Sequence, residues 1–317
     1  MTLSLLICTH NRADLLWRTI FFLNEAKRPR EANVEIFVVA NACSDNTIRW
    51  LRSYQQVARD DRMLPLRWVE EPTPGKSHAL NRAIAHLTTS VVAFVDDDHR
   101  VDPNYLVAIH SAVHTYPEVT MFCGRILPDW DGSEPDWVHD TGPYRIYPLP
   151  VPRFDQGKKS YEIRLGGPVP GGGNLILRRD VFDRVGCFST QFGPHGHDLA
   201  GGEDSDFVLR ALAMDERLSY VPDVVQYHYV DLSRFHLSYM MRKSYQRSRA
   251  VTRIRKHTDS VIPFYLWRKT ATYLAKAACS LSWPRTRFYL VRLAAALGEM
   301  RGRREASLSS RDSGLKE

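Results

Sequence analysis

Three consecutive carboxylates, Asp96, Asp97 and Asp98, follow directly on an apolar run over 91–95, Val-Val-Ala-Phe-Val. Such a run predicts a buried strand, which delivers the acids to its carboxyl end, where open α/β sheets bind their ligands. Like charges this close together need a counter-charge. Hard oxygen donors with space left for water and phosphate suit Mg2+ or Mn2+. The triplet therefore points to a site for a divalent cation and a diphosphate. The competing reading is an acidic turn into a helix, with Asp98 or Asp102 as N-cap and Pro103 near the first helical position.

Other segments carry groups able to work beside such a site. Gly75-Lys76 opens a predicted helix, where free backbone N–H groups and the helix dipole favour an anion; a Pro-Gly turn with a solvated lysine is the alternative. Gly201-Gly202-Glu203-Asp204-Ser205-Asp206 places acids in a first helical turn, which is favourable electrostatics even without chemistry. Gly171-Gly172-Gly173-Asn174 allows a backbone to come close to a ligand, or is a plain turn. Polar loops follow the first two predicted strands, Thr9-His10-Asn11-Arg12 and Asn41-Ala42-Cys43-Ser44-Asp45, and suit a nucleobase and ribose bound across a sheet crevice. Asp45 is equally readable as a helix N-cap. His228 lies after a predicted strand, as a metal ligand, a phosphate contact or a hydrogen-bonded filler.

The elements that must hold these groups alternate along the chain. Buried strands are predicted over 3–8 and 34–39, a short strand over 66–69, and amphipathic helices over 13–26, 46–59 and 76–87. With the strand at 91–95 this is the β-α alternation of a mostly parallel sheet flanked by helices. Residues 128–170, with Trp130, Trp137, Tyr144 and Tyr147 among prolines and glycines, read as an irregular insertion near the site. Structure resumes with a strand over 173–177, a helix from near Arg179, a Gly-rich loop over 193–202, a helix over 203–215 and a short strand over 220–225.

The chain of 317 residues has 44% hydrophobic and 25% charged residues, enough for a sizeable core. Its five cysteines form no C-x-x-C pair, which argues against a zinc site or disulfide framework and for a reducing compartment. With no signal-like start and no long apolar run, the expectation is cytoplasmic residence. The net charge of +7 is unevenly spread: residues 1–233 carry 24 Lys and Arg against 31 Asp and Glu, residues 234–304 carry 17 against 2.

In order and spacing, the motifs at 8–12, 39–47, 75–81, 96–98, 171–174 and 202–206 resemble the family 2 glycosyltransferases of the GT-A nucleotide-sugar fold, over roughly residues 3–230. The resemblance implies a nucleoside diphosphate sugar donor, with uridine as the base. It assigns the donor to Thr9, Asn11, Arg12, Asn41, Asp45, Lys76, Asp96, Asp97, Gly173 and Asn174, and the metal, Mg2+ or Mn2+, to Asp98 with Asp96 and His228. Asp204 would be the general base for single-displacement, inverting transfer to a hydroxyl of a glycan or lipid-linked acceptor, flanked by Glu203. Many relatives begin the second loop with aspartate; Ala40 and Asn41 stand there instead. A nucleotidyltransferase would need a Gly-rich, basic phosphate loop after the first strand, which residues 9–12 do not supply. A non-catalytic sugar-nucleotide-binding scaffold is the other competing class.

The expected organisation is a catalytic domain over 1–230, a basic amphipathic helical extension over 231–304 and a disordered tail over 305–317. Aromatic and basic residues over 234–300 suit the inner face of an anionic membrane; the alternatives are packing on the catalytic domain or a second subunit, and Arg242, Arg247 and Arg249 facing the active site to hold the diphosphate of a lipid-linked acceptor. No base-reading motif accompanies the charge, so nucleic acid is not expected.

Overall fold

The computed structural model describes residues 1–57, 63–190, 202–254 and 262–313, and the chain packs as two compact units. The first comprises Met1–Asp129 and Pro152–Tyr229. It contains, in order, β1 (Thr2–Thr9), α1 (Ala13–Glu25), β2 (Asn33–Asn41), α2 (Thr47–Val57), β3 (Leu66–Glu71), α3 (Lys76–Ile84), β4 (Val91–Phe94), β5 (His99–Val101), α4 (Tyr105–Thr115), β6 (Met121–Asp129), β7 (Tyr161–Ile163), β8 (Leu175–Arg178), α5 (Val181–Val185), α6 (Glu203–Ala213) and β9 (Leu218–Tyr229).

Among the described residues nine strands form one sheet in the order β3-β2-β1-β4-β8-β6-β9-β5, with β7 paired to β9. Strands β3, β2, β1 and β4 run parallel, β8 is antiparallel to both β4 and β6, and β6 and β9 are parallel again. Side chains of successive strand residues point to opposite faces. Leu5, Ile7, Ile36, Val38, Val91 and Ala93 therefore pack beneath α1, α2 and α4, while Leu6, Phe37, Val39, Val92 and Phe94 pack beneath α3 and α6. The helices supply matching stripes, Leu16, Ile20 and Leu23 on α1 and Phe207, Val208 and Ala211 on α6. The result is the expected three-layer α/β arrangement.

Sequence boundaries shift in instructive places. The strand expected over 220–225 is the twelve-residue β9, which places His228 inside the sheet. The strand expected from Gly173 begins at Leu175, after a 3-10 turn over Gly172–Asn174. All but the last residue of the Gly-rich loop over 193–202 lies outside the described residues.

The second unit comprises Trp130–Val151 and Val230–Glu317 and contains α7 (Leu237–Ile254), α8 (Phe264–Ala278) and α9 (Trp283–Ser313). The insertion expected over 128–170 is thus divided. Residues 130–151 pack with the C-terminal segment: Trp130, Trp137, Val138, Leu149 and Val151 share an apolar cluster with Val230 and Phe235, and the Tyr144 ring meets Phe288 and Tyr289 of α9. Residues 161–163 supply β7 to the first unit's sheet. The helix α9 continues through Ser313, where a disordered tail is expected over 305–317; residues 314–317 lie outside the described residues. Among the described residues no helix is long and apolar enough to cross a membrane.

Candidate active site

The acidic triplet fills a tight link between two strands. Val95 N–H still donates to Leu6 O at 3.0 Å, and after three intervening residues β5 starts back along β9, with His99 opposite His228. Asp98 is therefore not a helix cap. Asp102 instead closes the turn ahead of α4, accepting from Asn104 N–H at 2.9 Å.

The link turns the three carboxylates in different directions. Asp97 is buried and accepts from Thr9 Oγ1 at 2.7 Å and from the Arg12 guanidinium at 3.0 Å. Burial lifts its pKa to about 6, with Asp98 adding to the rise and Arg12 opposing it. Arg12 also reaches Asp98 at 3.1 Å. Asp96 faces the other way, 3.2 Å from Lys76 Nζ; burial opposes its charge, but Lys76 and His99 outweigh that and hold its pKa below the usual carboxylate range.

Two histidines complete one side. A carboxylate oxygen of Asp98 and one ring nitrogen each of His99 and His228 lie within 4.8 Å of one another. His228 Nδ1 sits 2.6 Å from Tyr229 O, a carbonyl, so Nδ1 carries the proton and donates. His99 Nδ1 faces Gln226 Oε1, whose orientation is fixed because Gln226 Nε2 donates to Phe94 O at 3.0 Å and to Tyr105 Oη at 2.6 Å. Each ring therefore turns its Nε2 toward the acids, and that of His99 is buried without a hydrogen-bond partner. Burial lowers the His228 pKa, with Asp98 opposing the shift. Two imidazoles and a carboxylate gathered in this way could hold a metal ion.

On the other side stands Lys76, the first residue of α3. Its Nζ lies 3.2 Å from Asp96, 3.3 Å from Asp204 and 3.9 Å from Glu203. Burial disfavours its charge, yet Asp204, Asp96 and Glu203 more than compensate and raise its pKa well above the ordinary lysine value. Asp204 comes from the first turn of α6, so one ammonium joins two acidic segments 108 positions apart, as the numbering of Asp96 and Asp204 shows. The floor beneath them is glycine of necessity. A Cβ on Gly172 would lie 2.2 Å from Asp204 Oδ1, and one on Gly173 2.6 Å from Asp96 Oδ2 and 2.8 Å from His99 Cε1.

Several residues assigned to the donor by resemblance are engaged in holding the loops. Asn41 is buried, gives Nδ2 to Glu71 O and Thr73 O, and accepts from Gly75 N–H at 2.8 Å, tying the ends of β2 and β3 to the start of α3. Asp45 accepts from Ala13 N–H at 3.2 Å and Thr47 N–H at 3.0 Å, capping α1 and α2 together. Asn11, at φ 52°, accepts from Ser44 and Asp45 N–H. Asn174 is buried, donating to Arg125 O and Val224 O and accepting from Gln226 Nε2, so its side chain braces the sheet while Gly172 and Gly173 face the acids. Thr9, Arg12, Lys76, Asp96, Asp97, Asp98, Gly173, Glu203, Asp204 and His228 converge; the amides of Asn41 and Asn174 do not enter the cluster.

Sequence reasoning passed over His99 and Gln226, and singled out Gly172 only as part of its glycine motif. His99 carried a local signal, since it directly follows the triplet. Gln226 carried none, because only its pairing across the sheet brings it to His99.

The family model for glycosyl transferase family 2 matches residues 4–186. Among curated proteins, the chain is 22% identical over 241 residues to the succinoglycan biosynthesis protein ExoM of Rhizobium meliloti, covering 76% of this chain and 71% of that one. It is 25% identical over 318 residues to an uncharacterized glycosyltransferase, alr2836, of Nostoc, covering 87% and 94%. Among solved structures it resembles the mannosyltransferase PcManGT of Pyrobaculum calidifontis, solved with GDP-Man and Mn2+, at a TM-score of 0.56 and 20% identity, covering 94% and 86%. It also resembles residues 1–349 of S. aureus TarS, solved with UDP-GlcNAc, at a TM-score of 0.53 and 14% identity, covering 99% and 92%. With its fold, its strand-end acids and a family match over more than half its length, the chain belongs to glycosyl transferase family 2 and is a glycosyltransferase of the GT-A fold.

Proposed function

We propose that this chain catalyses metal-dependent, inverting transfer of a sugar from a nucleoside diphosphate sugar to a hydroxyl of a glycan or lipid-linked acceptor. The observation that carries the reading is Lys76, whose ammonium bridges Asp96 of the strand-end turn and Asp204 at the start of α6 at 3.2 and 3.3 Å. A donor diphosphate held at the turn would draw Lys76 toward its own charge, freeing the Asp204 carboxylate. Asp204 then takes the proton of the acceptor hydroxyl as that oxygen attacks the anomeric carbon from the face opposite the leaving group. Glu203, buried and accepting from Gly202 N–H at 3.0 Å, fixes the start of the helix that carries Asp204.

Asp98, His99 and His228 fit a divalent cation, as the buried, unpartnered Nε2 of His99 indicates. Mixed imidazole and carboxylate donors favour Mn2+ over Mg2+, which prefers oxygen alone, and the Mn2+ in PcManGT supports that choice. The ion would neutralise charge developing on the departing nucleoside diphosphate.

The test is Asp204→Asn, assayed with UDP- and GDP-sugars in the presence of Mn2+. Loss of a general base lowers kcat by about 10²–10⁴-fold while nucleotide binding persists. Turnover equal to that of the parent protein would exclude the role.

The second unit supports a membrane-proximal acceptor. Phe264, Trp267, Ala271, Leu274 and Ala278 recur at spacings of three and four along α8 and are exposed, Phe264 by 80%, Trp267 by 51% and Leu274 by 57%. Arg268 and Lys276 are exposed on the same helix. An apolar stripe with basic neighbours lies readily in the interface of an anionic bilayer.

A further inference from the structure

Within the second unit, one cavity collects cations that no acid among the described residues answers. Met240, Lys243, Ser244 and Arg247 recur on α7 at the spacing of one helix face, and Phe288, Val291 and Arg292 do so on α9. Together with residues 145–150 they line a cavity of about 110 Å³, where a single water needs about 10–15 Å³. No carboxylate is among its lining residues, and among the described residues Arg145, Lys243, Arg247 and Arg292 form no salt bridge. Arg145 stacks over Tyr147 and Arg292 over Phe288, so two of the guanidiniums are braced by rings. Burial, with Arg234 and Arg247 nearby, lowers the Lys243 pKa, the mark of a cation short of counter-charge. Apart from Ser244 the rest of the wall is apolar, with Tyr147, Pro148, Leu149, Pro150, Met240 and Val291 in it.

We propose that this cavity binds a phosphate or diphosphate group attached to an apolar chain, with Arg145, Lys243, Arg247 and Arg292 on the phosphoryl oxygens. Guanidinium forks match phosphate oxygens bidentately, and the aromatic and proline wall accepts the first carbons of the chain. The proposal deepens the acceptor half of the function proposed above, naming the head group of a lipid-linked acceptor. It is tested by binding alone, so that its failure and the failure of sugar transfer are separable.

The experiment is amine footprinting of Lys243 on the intact protein with an N-hydroxysuccinimide ester, read by mass spectrometry, with exposed Lys158 as internal control. Inorganic phosphate, inorganic pyrophosphate and geranyl diphosphate are compared at millimolar concentration. Near saturation, labelling of Lys243 falls about fivefold or more while Lys158 is unchanged. Equal protection by pyrophosphate and geranyl diphosphate supports recognition of the anion; stronger protection by geranyl diphosphate supports the lipid source as well. The double variant Arg247→Ala, Arg292→Ala, both exposed, keeps the melting temperature and loses protection. Labelling of wild-type Lys243 that none of the three ligands alters, or protection that survives in the double variant, overturns the proposal. The wild-type comparison decides by itself if the double variant melts early.

Discussion

At the scale of single residues, the site is a problem in where like charges find their counterparts. Asp97 is satisfied by Thr9 and Arg12, Asp96 and Asp204 by Lys76, and Asp98 lies among Arg12, His99 and His228. Each partner fixes one carboxylate of the same cluster, and Gly172 leaves Asp204 its room. In Gly172→Ala the methyl must displace the Asp204 carboxylate, since their separation would be 2.2 Å. Because a misplacement of about 1 Å can cost ~10²-fold, kcat is expected to fall about 10–100-fold with nucleotide affinity nearly unchanged. A variant that binds and turns over like the parent would show that Asp204 does not need its present position. Gln226 makes a different prediction. Gln226→Leu leaves His99 Nδ1 without its acceptor and Tyr105 and Asn174 without a shared partner. Each orphaned group costs about 1–3 kcal/mol. On the proposed metal site, losing the group that orients the His99 imidazole weakens the metal by about 10–100-fold. Titration with Mn2+ followed by electron paramagnetic resonance checks the second effect, and unaltered affinity would remove His99 from the ligand set.

At the scale of elements, strand ends and helix starts do the positioning. Asn41 braces β2, β3 and α3, and Asp45 caps α1 and α2, so the polar loops are held by the very residues whose chemistry suggested ligand binding. This follows from the need of buried N–H groups and helix N-termini for acceptors, a need that Asn and Asp meet well. The exposed stripe on α8 has no such internal explanation. Burying a large apolar side chain gains about 1.5–3 kcal/mol. The triple variant Phe264→Ser, Trp267→Ser, Leu274→Ser should therefore lower co-sedimentation with vesicles rich in anionic lipid by at least about tenfold. Undiminished sedimentation at low salt would assign the binding to basic charge alone, and absent sedimentation of the parent protein would end the membrane reading.

At the scale of the whole molecule, the charge separates along the sequence, acidic over 1–233 and basic over 234–304. Acid stability is expected to draw on particular pairs rather than on that gross asymmetry. Asp155 accepts from Arg125 at 3.0 and 3.1 Å, from Arg153 at 3.0 Å and from Gly157 N–H at 3.2 Å. Burial opposes its charge, but these partners outweigh it and lower the pKa from 3.8 to about 2. A carboxyl depressed by folding stabilises above its unfolded pKa and loses that contribution as pH falls through the folded value. The window is therefore pH 4 down to pH 2. With Arg153 exposed and screened, the contribution is about 1–2 kcal/mol. Urea unfolding should find Asp155→Asn less stable than the parent by that amount at pH 7 and equal to it near pH 2. A gap that persists at pH 2 would mean the loss comes from packing instead of charge.

The amino-acid sequence by itself determined the alternation of strands and helices, the delivery of Asp96, Asp97 and Asp98 to a strand end, and the placing of Lys76 and Asp204 at helix starts. These are local properties: apolar periodicity and first-turn chemistry are written within a dozen residues. Tertiary structure alone decided which groups meet. Lys76 and Asp204 are 128 positions apart and His99 and Gln226 are 127 apart, and each pair is joined only by the packing of α3 with α6 around one sheet or by the register of β5 on β9. The clearances that require Gly172 and Gly173, and the internal hydrogen bonds that occupy Asn41 and Asn174, are likewise distances between segments remote in the chain, which no local pattern encodes.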